Sequence, residues 1–143
     1  MIQRIQSIFL LLAGAASFSL FMLPFASTSE AQVDSVLFAD AAFNVQDNTI
    51  MMGVFAACGL LLVLAIFLFN NRQLQMKMTL LGLILAVAGV GASGYFLSQD
   101  AAFKLAEPSG GVIMPIATFV FAILAHRYIN KDEKLVKSVD RLR

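Results

Sequence analysis

Four stretches of this 143-residue chain contain no Asp, Glu, Lys or Arg. They cover residues 5–29, 48–71, 78–99 and 108–125. A helix rises about 1.5 Å per residue and a bilayer core is about 30 Å thick, so about 20 apolar residues can cross it. The chain is only 13% charged, whereas a soluble domain carries about 25% charged residues. The pattern predicts an all-α membrane protein, a bundle of four transmembrane helices.

We expect one domain over residues 1–143, with the spans at about residues 5–27, 49–70, 78–98 and 109–127. Residues 128–143 are predicted to form an amphipathic helical tail. Polar residues 70–77 are expected to connect the second and third spans. The first apolar run is longer than the roughly 7–15-residue apolar region of a signal peptide, so we expect it to be a retained span.

The basic residues predict the orientation of these spans. Nine of the ten Lys and Arg side chains flank the spans on one side, and Lys104 alone lies on the other. Cytoplasmic loops carry the excess of Lys and Arg in membrane proteins. The sequence therefore predicts an inner-membrane, multi-pass protein with both termini in the cytoplasm. A net charge of +1 gives no general attraction for nucleic acid.

The first loop on the other side, residues 30–47, is long enough to have structure of its own. Val33, Val36 and Phe38, followed by Phe43 and Val45, predict two short strands that pair as a β-hairpin. Because an isolated hairpin is marginal in water, we expect it to rest on the rim of the bundle.

The predicted spans lack the residues that catalysis and ion-coupled transport need. No Asp, Glu, Lys, Arg or His lies in the four uncharged stretches, and His126 and Arg127 fall at the very end of the fourth span, whereas proton relays and ion-coupled carriers use such groups within the membrane. The single Cys58 and single His126 exclude an intrachain disulfide and a multi-cysteine or polyhistidine metal site. His126 and Asp132 are six residues apart and fall on different helical faces. We therefore predict no enzyme, no catalytic residue, no cofactor and no metal.

The third span contains a glycine pattern with two interpretations. Residues 89–94 fit the GxGxxG spacing of dinucleotide sites, but such a site needs a strand, a parallel sheet and a later acidic residue. A small-residue face is the better interpretation, because it lets helix backbones approach closely in lipid. We expect this helix-packing face to consist of Gly82, Ala86, Gly89 and Ser93.

The two ends of the chain carry a family resemblance. Residues 1–7 read MIQRIQS, and the close contains Ala125-His126-Arg127, Lys131-Asp132-Glu133 and residues 140–143, which read DRLR. These ends resemble a membrane family of Bacteroidota described as domain of unknown function 4293. The resemblance implies a four-helix inner-membrane protein and brings no activity, substrate or cofactor. His126 stands where we expect Asn, which argues against a catalytic role for it.

Our leading hypothesis is a non-enzymatic accessory, assembly or scaffold protein that binds a partner at its cytoplasmic face. The tail itself allows two interpretations, a basic helix lying on anionic lipid or a handle for a protein. Alternative functions are a lipid or small-molecule site between the outer loop and the helix ends, and a passive pore formed by oligomers. The predicted partner-binding residues are Gln3, Arg4, Gln6, Arg127, Lys131, Asp132, Glu133, Asp140 and Arg141.

Overall fold

The computed structural model describes the backbone of residues 2–140 and the side chains of residues 5–138. In this part of the chain, four α-helices carry most of the residues. They are α1 (Ile2–Ser19), α2 (Thr49–Phe67), α3 (Arg72–Gln99) and α4 (Ile113–Asp140). The prediction of a four-helix chain is therefore confirmed.

The four helices pack in a closed ring. The main contacts of α1 are with α2 and α4, and those of α3 are also with α2 and α4. We call the end at which α1 and α3 begin the tail end, because α4 continues past it. The opposite end carries a small sheet and is called the sheet end.

Three of the described helices are long and apolar enough to cross a membrane. These segments are Thr49–Phe67, Arg72–Gln99 and Gly110–Ser138. The apolar part of α1, Ile5–Ser19, is shorter. The sequence predicted a first span to residue 27, but α1 ends at Ser19, where the hydroxyl donates to the carbonyl of Ala16 at 2.7 Å. The chain then turns towards Pro24 and enters the sheet.

The sheet has three strands of two residues each. The strands are β1 (Ala26–Ser27), β2 (Ala42–Phe43) and β3 (Glu107–Pro108). Strand β1 is central and pairs antiparallel with both neighbours, Ala26 opposite Phe43 on one side and opposite Pro108 on the other. The sheet therefore ties the chain after α1 to both loops at this end.

The predicted hairpin is wrong in its first strand. Residues 33–38 form turns rather than a strand, because the carboxylate of Asp100 accepts from the Ser35 hydroxyl at 2.7 Å and from the Leu37 backbone N–H at 3.4 Å. Val33 is 99% exposed, so its apolar side chain does not mark a buried strand face. Phe43 does lie in a strand, but its partner is β1.

The beginning of α3 differs from the sequence prediction, and a proline lies at the beginning of α4. Asn71 caps α3, since its side-chain oxygen accepts from the Leu74 N–H at 3.1 Å. Helix α3 therefore begins at Arg72, inside the stretch predicted to be the connection. Pro115 lies in the first turn of α4, a position that proline tolerates without breaking a helix. It marks the start of α4 rather than a kink.

Two hydrophobic cores hold the fold together. One lies inside the helix ring, and the other lies beneath the sheet around fully buried Phe38 and Phe43. Within the ring, the Ser17 hydroxyl donates to the Phe55 carbonyl at 3.0 Å, which joins α1 to α2. Interhelical hydrogen bonds of this kind contribute about 0.6 kcal/mol in membrane bundles.

Candidate functional site at the tail end

An ion pair fixes the place where α4 leaves the bundle. Arg72 Nε lies 2.7 Å from Asp132 Oδ2, and the two side chains are 25% and 13% exposed. The angle falls outside hydrogen-bond geometry, so the contact is an ion pair only. Because Arg72 is the first residue of α3, residues 133–140 of α4 extend about 12 Å beyond it.

A second set of contacts holds the next residue of α4. Glu133 is 9% exposed, and its Oε1 accepts from Gln73 Nε2 at 3.3 Å. The same oxygen lies 2.7 Å from Lys137 Nζ, one turn further along α4. Both acidic residues of this helix segment are therefore engaged by neighbours on the bundle side.

Three of the four described basic side chains of α4 occupy the opposite face, and the fourth, Lys137, pairs with Glu133. Arg127, Lys131 and Lys134 are exposed and follow one another at spacings of four and three residues, which places them on one helical stripe. Among the described residues no ion pair involves any of the three. With Leu135 and Ser138 they border a shallow depression. We call this set, from Arg127 to Ser138, the basic stripe.

Two glutamines lie inside the bundle at the same end. Gln6 and Gln75 are both fully buried, and neither side chain has a hydrogen-bond partner among the residues that the structure describes. Gln6 lies one turn before Phe9, which stacks on Tyr128 of α4 at 5.5 Å between ring centroids. Gln75 lies one turn after Arg72. Since α1 and α3 both run antiparallel to α4, the two amides lie at about the same level of the ring.

No metal centre accompanies these polar groups in the described chain. No three His, Cys, Asp or Glu side chains there are close enough to hold a metal ion. Asp132 is paired with Arg72 and not with His126, which instead borders a groove with Gln73 and Glu133. The arrangement is that of a helix whose acidic residues Asp132 and Glu133 contact α3, while its outer face is basic.

The model of a family described as Domain of unknown function (DUF4293) matches residues 2–142. The chain belongs to this family. The resemblance that its two ends carry is thereby confirmed. Comparison with curated proteins gave no match, and comparison with solved structures gave none either.

The structure divides the predicted partner-binding residues of this DUF4293 protein into groups. Arg127 and Lys131 are exposed on the basic stripe, whereas Asp132 and Glu133 hold α4 to α3. Gln6 is buried, so a partner cannot reach it without entering the ring. The side chains that lie outside the described residues are Gln3, Arg4, Asp140 and Arg141.

The predicted packing face of α3 lies against α2. All four of its residues are buried. A Cβ added to Gly82 would meet Leu62, and one added to Gly89 would meet Phe55. Gln73 and Gln75 do not stand out in the sequence, because they fall in residues 70–77, which the pattern predicts to be a connection. The signal that points to them is Asn71, a residue type that favours helix N-caps.

Proposed function

We propose that this chain is an inner-membrane protein in which all four helices cross the bilayer and both termini are cytoplasmic. The three long apolar helices support the membrane location, and α1 is the fourth span. The charges support the orientation, because Arg72, Lys77 and the basic residues of α4 share the tail end, whereas Lys104 lies at the sheet end. Excess Lys and Arg is typical of the cytoplasmic side.

We further propose that the protein is a non-enzymatic accessory or scaffold protein whose basic stripe binds an acidic segment of a protein partner. The observation that carries this proposal is the division of charge around α4. Asp132 and Glu133 face the bundle and have partners, while Arg127, Lys131 and Lys134 point outward without ion-pair partners among the described residues. Unpaired charge on an ordered helix favours fast and specific association with a surface of opposite sign.

The course of α4 favours a protein over the lipid surface as the ligand of this stripe. The helix runs without interruption from Ile113 to Asp140. A helix that lies on the headgroups turns away from the direction of the preceding span, which requires a break in the helix. Helix α4 has no such break. Its last two turns therefore extend into the aqueous phase, where Lys134 and Ser138 are exposed.

Orientation is tested with single-cysteine variants. Lys134→Cys and Lys104→Cys are matched, since both residues are exposed lysines at opposite ends. A membrane-impermeant maleimide applied to spheroplasts is expected to label the cysteine at 104 and to reach the one at 134 only after permeabilisation. Cys58 is buried and serves as the background control. Labelling of position 134 from outside would contradict the orientation.

Partner binding is tested by site-specific photo-crosslinking. A photoreactive residue at position 138 is expected to form an adduct with a protein, and the linked peptide is expected to be acidic. Lys131→Glu with Lys134→Glu is expected to abolish the adduct, whereas Lys77→Glu with Lys104→Glu, an equal charge change elsewhere, should leave it intact. Adducts with phospholipid alone, or an adduct unaffected by Lys131→Glu with Lys134→Glu, would contradict the proposal.

A further inference from the structure

A long apolar crevice lies between α3 and α4, in the half of the bundle next to the sheet end. It consists of two adjoining cavities of about 340 and 240 Å³. They share Val90, Pro115 and Ile116, so they lie side by side along the same two helices. Along α3 the crevice extends from Ala86 to Leu97, which is about 16 Å of helix.

Apolar side chains line the crevice along its length and close it at the sheet end. Val87 and Val90 of α3 and Ile116 of α4 are 57%, 49% and 60% exposed, so the space opens sideways between the two helices. Phenylalanines of the sheet-end loops cover its upper end, namely Phe25, Phe43 and Phe103. The one polar side chain of the lining is Ser93, and its hydroxyl already donates to the Gly89 carbonyl at 2.8 Å.

This lining selects the chemistry of an occupant. A polar ligand or an extended peptide would leave its hydrogen-bonding groups without partners, which costs about 1–3 kcal/mol for each group. A helix of a second copy is also a poor fit. A helix is about 10–12 Å across with its side chains, which is too wide for cavities of about 340 and 240 Å³ that extend along about 16 Å of α3. A thin, flexible, unbranched hydrocarbon chain has neither difficulty.

We propose that the crevice binds one acyl chain of a phospholipid from the outer leaflet, the leaflet at the sheet end. This inference depends on the proposed membrane location and orientation. The length of the crevice supports it, because 16 Å is close to half of a hydrocarbon core of about 30 Å. The combined space also falls in the range of ligand pockets, about 300–1,000 Å³.

Two glycines of α3 provide a matched test. Gly94 lines the crevice and Gly91 does not, while a Cβ at either position meets no atom within 4 Å. Gly94→Phe therefore fills the crevice from its wall, and Gly91→Phe adds the same side chain on an exposed surface. Gly94→Leu serves as a smaller second variant in case the phenylalanine interferes with folding.

The probe is phosphatidylcholine with a diazirine at the middle of one acyl chain, incorporated into liposomes that contain the purified protein. Labelled residues are mapped by mass spectrometry. In the wild type and Gly91→Phe, labelling of Ile116 is expected to exceed that of Leu60, an exposed residue of α2 that serves as the internal reference. In Gly94→Phe or Gly94→Leu, the excess at Ile116 is expected to disappear while Leu60 stays labelled.

Three results would overturn the inference. Equal labelling of Ile116 and Leu60 in the wild type would mean that only the ordinary lipid shell contacts the crevice. If the excess labelling of Ile116 persists in both Gly94 variants, the acyl chain lies outside the crevice. Crosslinks between two copies at Ile116 would assign the crevice to a dimer. Labelling of Leu60 in each case shows that the protein is in the bilayer, so these results leave the proposed membrane location intact.

Discussion

The guanidinium of Arg72, at the first residue of α3, lies 2.7 Å from the carboxylate of Asp132 on α4. The contact joins a helix beginning to a helix that continues outward. It lies at the base of the segment that carries Lys134 and Ser138. The direction in which the basic stripe points therefore depends on the Arg72–Asp132 ion pair, which lies on the bundle side of α4.

This ion pair is expected to be coupled energetically. Arg72→Gln and Asp132→Asn should each lower the free energy of unfolding by about 1 kcal/mol, since the pair is partly shielded from water. The double variant should lose less stability than the two single variants added together, because the second substitution removes a charge that is already unpaired. Unfolding in detergent micelles measures all three. Strict additivity would mean that the pair does not contribute, and exposed Lys77→Gln is the control.

A second prediction concerns Asp100, which organises the loop at the sheet end. Burial raises the pKa of this carboxyl, but hydrogen bonds from Ser35, Ala102 and Leu37 outweigh that effect and leave the pKa below its usual value. A depressed pKa means that the ionised carboxylate stabilises the folded loop. That stability is complete above the unfolded pKa, about 4, and it is lost as the pH falls through the lower folded value.

The loop around Asp100 is thus expected to hold its structure from neutral pH down to about pH 4 and to loosen below it. NMR titration of the Leu37 and Ala102 backbone amides follows this transition, since both donate to the carboxylate. Asp100→Asn should shift both amides already at neutral pH. Asp34→Asn, a change at an exposed carboxyl of the same loop, should not. A transition in the wild type well above pH 4 would contradict the depressed pKa.

The sequence predicts the helices of this chain better than its loops, for a physical reason. Long apolar runs determine a helix locally, whereas each strand here is two residues long and exists only because β1 meets partners far along the chain. Val33 and Val36 resemble strand residues, yet both are largely exposed. Nothing in the local sequence pattern indicates that the Asp100 carboxylate accepts hydrogen bonds from Ser35 and Leu37 in this segment.

The candidate site shows the same limit. The charge asymmetry along the sequence predicts which end is basic, but it does not say which residues point outward. The pairing of Asp132 with Arg72 and the burial of Gln6 depend on how α1, α3 and α4 meet. Helical spacing alone does predict that the three exposed basic residues share one face of α4. It also predicts that Asp132 and Glu133 lie on a different face.

A third prediction uses two adjacent glycines before α4. The Gly111 N–H donates to the carbonyl of Pro24 at 3.0 Å, and a Cβ at Gly111 would collide with the Pro24 backbone. Gly111→Ala is therefore expected to lower the free energy of unfolding by about 1–3 kcal/mol, the usual cost of overpacking. At Gly110 a Cβ meets nothing within 4 Å, so Gly110→Ala should have little effect. Thermal unfolding of the two variants in one detergent compares them directly, and equal stabilities would show that the close contact is absent.

The fourth prediction concerns Gln75, whose side chain is fully buried and has no hydrogen-bond partner in the described part of the chain. An unsatisfied amide in an apolar interior costs about 1–3 kcal/mol. Gln75→Leu keeps a similar volume and removes the polar atoms, so it should raise the free energy of unfolding by about 1 kcal/mol. Gln73→Leu is the matched control on the same helix, and it should not stabilise, because it removes a hydrogen bond to Glu133. Denaturant unfolding in micelles measures both. A loss of stability in Gln75→Leu would mean that the amide binds a partner inside the ring.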